Sequence, residues 1–130
     1  MSGSSVRFLT LAEIAAIHNN QIDLYGGSGG IRDIALLSSA TAMPESSFDG
    51  KYLHDDLFEM AAAYAFHICR DHPFIDGNKR TALAAALVFL DFNGIDIEDK
   101  KGSLYDAVMN TASGKMDKKR LAAVFRKLVV

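Results

Sequence analysis

Ala82-Leu83-Ala84-Ala85-Ala86-Leu87-Val88-Phe89-Leu90 carries no polar side chain at any position. As a helix this run has no wet face, so it belongs inside a bundle and not on its surface. As a membrane span it is about half the necessary ~20 residues. It predicts an all-α fold, a compact bundle of about six helices around a central hydrophobic helix.

The helical periods continue outward on both sides. Toward the N-terminus, Leu57, Met60, Ala61, Tyr64 and Ile68 predict a helix started by Asp55 or Asp56, with Arg70 and Asp71 near its end. Before it, Glu45 to Leu53 alternates polar and aromatic residues around Asp49-Gly50, as a small hairpin or exposed flap would. Asp33 caps a helix through Ile34, Leu36, Leu37 and Ala40 that Pro44 stops. Thr10 and Glu13 have capping-box spacing ahead of Leu11, Ile14, Ile17 and Ile22. Gly26, Gly27, Gly29 and Gly30 read as a plain flexible turn, because neither a preceding strand nor phosphate-loop spacing accompanies them. Toward the C-terminus, Asn93-Gly94 ends the apolar helix and Ile95 and Ile97 form a short extended piece. Two amphipathic helices follow, one through Leu104, Ala107 and Val108, the other capped by Asp117 and carrying Leu121, Val124, Phe125 and Leu128.

The composition sets bounds on function. At 130 residues the chain is one domain, 1–130, and at 49% hydrophobic it has the apolar matter for a real core. A formal charge of −2 gives no general attraction to nucleic acid or to membranes, so any anion site must be local. Cys69 is the single cysteine, which excludes an internal disulfide, and its apolar neighbours predict a buried, inert thiol. No signal-peptide stretch opens the chain, and the expected setting is soluble, reducing and cytoplasmic. The Met1-Ser2-Gly3-Ser4-Ser5 opening reads as a frayed end or a tag remnant.

The chemistry concentrates in His72-Pro73-Phe74-Ile75-Asp76-Gly77-Asn78-Lys79-Arg80, the loop that enters the apolar helix. A helix starting near Asn78 leaves backbone N–H groups unpaired around Gly77, Asn78, Lys79 and Arg80, and its dipole attracts anions there. Gly77 lets the backbone turn sharply. Lys79 and Arg80 add full positive charges, and Arg80 can grip a phosphate with two parallel N–H bonds. Asp76 would repel phosphate unless a cation lay between them, and Mg²⁺ binds in that manner. His72 is the side chain best matched to proton transfer near neutral pH. Phe74 is the expected anchor in the core. Singly, each residue is ordinary turn or surface chemistry; their conjunction carries the inference, since cations in a first helical turn cost stability until an anion arrives.

These residues resemble the Fic/Doc family signature H-P-F-x-[DE]-G-N-x-R, matched by His72, Pro73, Phe74, Asp76, Gly77, Asn78 and Arg80. The resemblance extends through Tyr25-Gly26-Gly27, Arg32-Asp33, Leu57-Phe58-Glu59 and Asn93-Gly94. It implies a helical bundle that uses a nucleotide and Mg²⁺ to modify hydroxyl side chains of other proteins. The larger Fic branch, which transfers AMP, has a second glycine where Lys79 stands and a second arginine where Leu83 stands. Lys79 and Leu83, within Asn78-Lys79-Arg80-Thr81-Ala82, are similar to the Doc (death-on-curing) branch. That branch implies a protein kinase toxin that passes the γ-phosphate of ATP to a Thr or Ser hydroxyl, on elongation factor Tu, and so halts translation. In that light His72 is the expected base, Asp76 the Mg²⁺ ligand, and Gly77, Asn78, Lys79 and Arg80 the nucleotide seat. The inhibitory pattern [ST]-x-x-x-E-[GN] does not occur in the chain, so the resemblance implies a separate small antitoxin folding onto it as a helix.

Other readings compete. Transfer of AMP or UMP is the nearest. A metal-dependent phosphohydrolase would use His54-Asp55 with His67 and His72; against it, Asp55 reads as a helix cap, His67 as a core histidine and His18 as a surface residue. A binding module with a dead site is the third.

Overall fold

The computed structural model describes residues 5–130; Met1 to Ser4 of the polar opening lie outside the described residues. The chain forms α1 (Leu11–Tyr25), α2 (Ile34–Ala42), a 3₁₀ turn (Met43–Glu45), a hairpin of β1 (Ser47–Phe48) and β2 (Lys51–Tyr52), α3 (Leu57–Asp71), α4 (Asn78–Phe92), α5 (Ser103–Ala112) and α6 (Lys118–Lys127). The expected bundle of six α-helices is present. Local chemistry starts most of its elements. Thr10 and Glu13 exchange both bonds of a capping box, while Asp33, Asp56 and Asp117 each accept an amide from the first turn of their helices. The cap of α3 is thus Asp56, not Asp55.

The β1–β2 turn follows its dipeptide. Asp49 and Gly50 have φ of 54° and 77°, the pair of positive values that a two-residue hairpin turn matched to strand twist demands. The hairpin is exposed throughout, and Phe48 is its most exposed large apolar side chain. Ile97 pairs with Val129 in one antiparallel bridge, which is the short extended piece.

The centre of the bundle differs from the expectation in one respect. The apolar helix α4 does bury Ala82, Ala85, Ala86, Phe89 and Leu90, but Leu83, Leu87 and Val88 are only half-buried. The helix packed on the most sides is α3, which touches α2, α4, α5, α6 and the 3₁₀ turn. Its Met60–Ala65 stretch is buried without a break, because four alanines let neighbours approach from every direction. The phenol of Tyr64 reaches out of this centre to accept the Leu9 amide at 2.8 Å, tying the segment before α1 to the core. Cys69 is buried on α3 and burial pushes its thiol up to about 11, so it is the inert side chain expected. No helix among the described residues is long and apolar enough to cross a membrane.

Candidate functional site

The loop between α3 and α4 is held from three directions. Below it, Phe74 is buried, and Asn78 closes a two-bond clamp on it: Nδ2 donates to the Phe74 carbonyl and Oδ1 accepts the Phe74 amide, each at 3.0 Å. To one side, the Gly30–Asp33 segment runs antiparallel to Pro73–Ile75. The Arg32 and Asp33 amides donate to the Pro73 carbonyl, and the Ile75 amide donates to Gly30. The Arg32 guanidinium adds bonds to the carbonyls of His72 (2.6 Å) and Asp71 (2.8 Å). These bonds support His72 at φ 51°, a left-handed conformation that costs a non-glycine residue roughly 1–2 kcal/mol. The imidazole is left exposed to solvent.

The glycine link does more than turn the chain. The Ser28 amide donates to Asp76 Oδ2 at 3.1 Å, and a Cβ at Gly27 would meet that oxygen at 2.7 Å, so only glycine admits the carboxylate there. The expectation of a plain turn is therefore corrected: the segment braces the motif loop. Asp76 Oδ1 accepts the Gly77 amide at 2.8 Å. These two amides, with Arg80 and His18 nearby, hold the exposed Asp76 carboxyl below the usual carboxylate range. It is therefore ionised at neutral pH. Each oxygen keeps free lone-pair directions, which fits a hard cation shared with phosphate oxygens. Among the described residues no cluster of three or more metal-ligating side chains occurs, so a dedicated protein cage is not built here.

His72, Ile75, Asp76, Gly77, Asn78, Lys79 and Arg80 line one open cavity of about 320 Å³, with Tyr105 of α5 on its rim. All six expected site residues thus share one wall. Their roles divide differently from the expectation, however. The Asn78 side chain is turned inward onto Phe74, so only its backbone N–H, in the first turn of α4, can serve an anion. The Gly77 amide is covered by Asp76. Lys79 and Arg80 are exposed, and Arg80 lies over the Tyr25 ring at 5.3 Å while reaching the Gly26 carbonyl at 3.4 Å. Beside this cavity, Leu83, Ala84, Leu87, Val108 and Tyr25 line an apolar groove of about 430 Å³ that shares Lys79, Arg80 and Tyr105 with it. Tyr105 was not legible as a site residue, since nothing in its local sequence sets it apart, and Arg32 fell within the family resemblance without a role being assigned to it.

His54 and His67 do not join His72. Their Nε2 atoms lie 3.5 and 3.3 Å from Lys118 Nζ, so an ammonium fills the place a metal would need. His18, expected at the surface, is instead fully buried beneath the motif loop.

Fold and site together define an all-helical domain that presents an exposed imidazole, an ionised carboxylate and two cations at the start of one helix. The chain belongs to the Fic/Doc family, whose model matches residues 8–90. It is 32% identical to a protein of Escherichia phage P1 named protein kinase doc, over 95% of this chain and 96% of that one. It is also 41% identical to a protein of Mycolicibacterium smegmatis named toxin Doc, over 56% of each chain.

Proposed function

We propose that this chain is a Doc-type protein kinase, a toxin that moves the γ-phosphate of ATP to a Thr or Ser hydroxyl of another protein in the cytoplasm. The observation that carries the reading is the single cavity wall formed by His72, Asp76, Lys79 and Arg80 at the amide end of α4. The kinase name of the phage relative, which aligns over nearly the whole chain, supports it.

The residues divide the work by chemistry. His72, exposed and fixed by Arg32, takes the proton of the attacking hydroxyl. Lys79, Arg80 and the amides of the first turn of α4 bind the phosphate oxygens and stabilise the charge that spreads over them during transfer. Asp76 would hold Mg²⁺, which supplies charge neutralisation between phosphates when bound. The exposed β1–β2 hairpin is not part of the cavity wall: it precedes the start of α3, with Tyr52 against Phe8 and Phe8 stacked on Phe89 toward the far end of α4. Elongation factor Tu is the first target to try. The apolar groove next to the cavity has the character needed by the apolar face of an antitoxin helix.

Phosphate transfer is preferred over AMP transfer because Lys79 occupies the cavity wall where a glycine would leave room, and Leu83 faces the apolar groove instead of carrying a second guanidinium. The deciding experiment incubates candidate targets with Mg²⁺ and ATP labelled at the γ or the α position. Transfer of the γ label alone, with a mass gain of one phosphate, is the expected result. Transfer of the α label with a gain of one AMP overturns the assignment. His72→Ala is expected to lower the rate by roughly 10²–10⁴.

A further inference from the structure

α1 passes beneath the motif loop, and His18, with Ile22 one turn further on, packs against it. Its exposure is 1%, and its ring lies flat on Phe74, centroids 3.9 Å apart and planes 4° from parallel. Its Nε2 is 2.7 Å from the carbonyl oxygen of Asp76. A carbonyl only accepts, so Nε2 carries the hydrogen and donates it.

This bond acts on one peptide unit. In a trans peptide the C=O and the following N–H point in opposite directions. With the Asp76 carbonyl drawn inward to His18, the Gly77 N–H is sent outward to the cavity, where Asp76 Oδ1 now takes it. Gly77 sits at φ 77°, and a glycine can exchange this conformation for others at little cost. The local sequence therefore does not fix which way the Asp76–Gly77 peptide faces. The donor that fixes it comes from 58 residues away.

We propose that His18 is a positioning residue for phosphate transfer: by holding the Asp76 carbonyl inward it keeps the Gly77 N–H on Asp76 Oδ1, and so holds that carboxylate in place on the cavity wall. The proposal rests on the loop being a phosphate seat. A histidine that merely filled the core would stabilise the bundle without setting the geometry of the cavity.

The test compares three variants of the full chain. His18→Phe keeps a flat ring on Phe74 but cannot donate; His18→Met is a second donor-free variant of similar volume should the first not fold; His18→Gln restores an N–H donor. Crystal structures of the donor-free variants should show the Asp76–Gly77 peptide rotated. Their kcat for γ-phosphate transfer should fall roughly 10- to 100-fold, as small misplacements near reacting groups do, with thermal midpoints close to the parent's. His18→Gln should recover most of kcat. An unmoved peptide, a kcat within about twofold of the parent, or a glutamine variant no better than phenylalanine would overturn the proposal. If the parent itself transfers no phosphate, the functional reading falls, whereas the peptide orientation in the variants still decides what His18 holds.

Discussion

At the scale of the residue, Asn78 shows how a motif position can serve chemistry without touching it. Its side chain is spent on both main-chain groups of Phe74, deep enough that water cannot replace it. Asn78→Ala leaves a buried donor and a buried acceptor unpaired and should cost about 1–3 kcal/mol. Urea unfolding is expected to show this as a lowered midpoint with unchanged slope. Lys79→Ala, by contrast, removes an exposed cation from the first turn of α4, so it should leave the midpoint in place or raise it slightly while weakening nucleotide binding. Equal stability of Asn78→Ala and the parent would mean that the clamp contributes nothing to holding the loop. The same distinction separates the neighbours: Phe74 and Asn78 build the loop, and His72, Asp76, Lys79 and Arg80 face out of it.

Between elements, the contact of α3 with α6 holds a pH-sensitive cluster. Burial first, then the Lys118 charge and His54, lower His67 to about 4, and burial and Lys118 lower His54 as well. Burial also lowers Lys118. A histidine depressed in the folded chain binds its proton more readily once unfolded. Stability is therefore full above the unfolded value of 6.5 and lost as pH falls from there toward 4. Lys118→Met removes the repelling charge and leaves the desolvation, so the loss between neutral and acid pH should shrink without vanishing. Urea midpoints at about pH 7.5 and pH 5 check it; a loss equal to the parent's would show that Lys118 does not set the histidines. Most elements were legible before their packing was. Capping residues and Asp49-Gly50 act on adjacent backbone, so their effects are written within a few positions. The ranking of α4 over α3 failed for a complementary reason. A run without polar residues marks apolarity, but burial on every side depends on small residues that admit neighbours, and α3 carries alanines at 61–63 and 65.

For the whole molecule, the site is a convergence of distant stretches. α1 supplies His18, the 26–33 segment braces Asp76 and His72, the 72–80 loop supplies the groups facing the cavity, and α5 brings Tyr105 to its rim. The motif loop was legible because its residues are consecutive. Its braces were not, since a buried histidine and an exposed one look alike in sequence, and a glycine link shows no sign of the carboxylate it must accommodate. A site held by so many segments exists only in the folded chain, so a ligand that binds it must stabilise the whole bundle. A non-hydrolysable ATP analogue with Mg²⁺, at a hundred times its dissociation constant, contributes about 2.7 kcal/mol. For a domain of this size that corresponds to a rise in thermal midpoint of roughly 10 °C. The shift should shrink when EDTA removes the cation, because Asp76 and the phosphates then repel, and should disappear in Lys79→Ala/Arg80→Ala. In His72→Ala it should persist undiminished, since a base that acts only on the attacking hydroxyl gives the bound nucleotide nothing. A midpoint that stays fixed in the parent at saturating analogue, or that moves equally in the double variant, would remove the nucleotide from this end of α4.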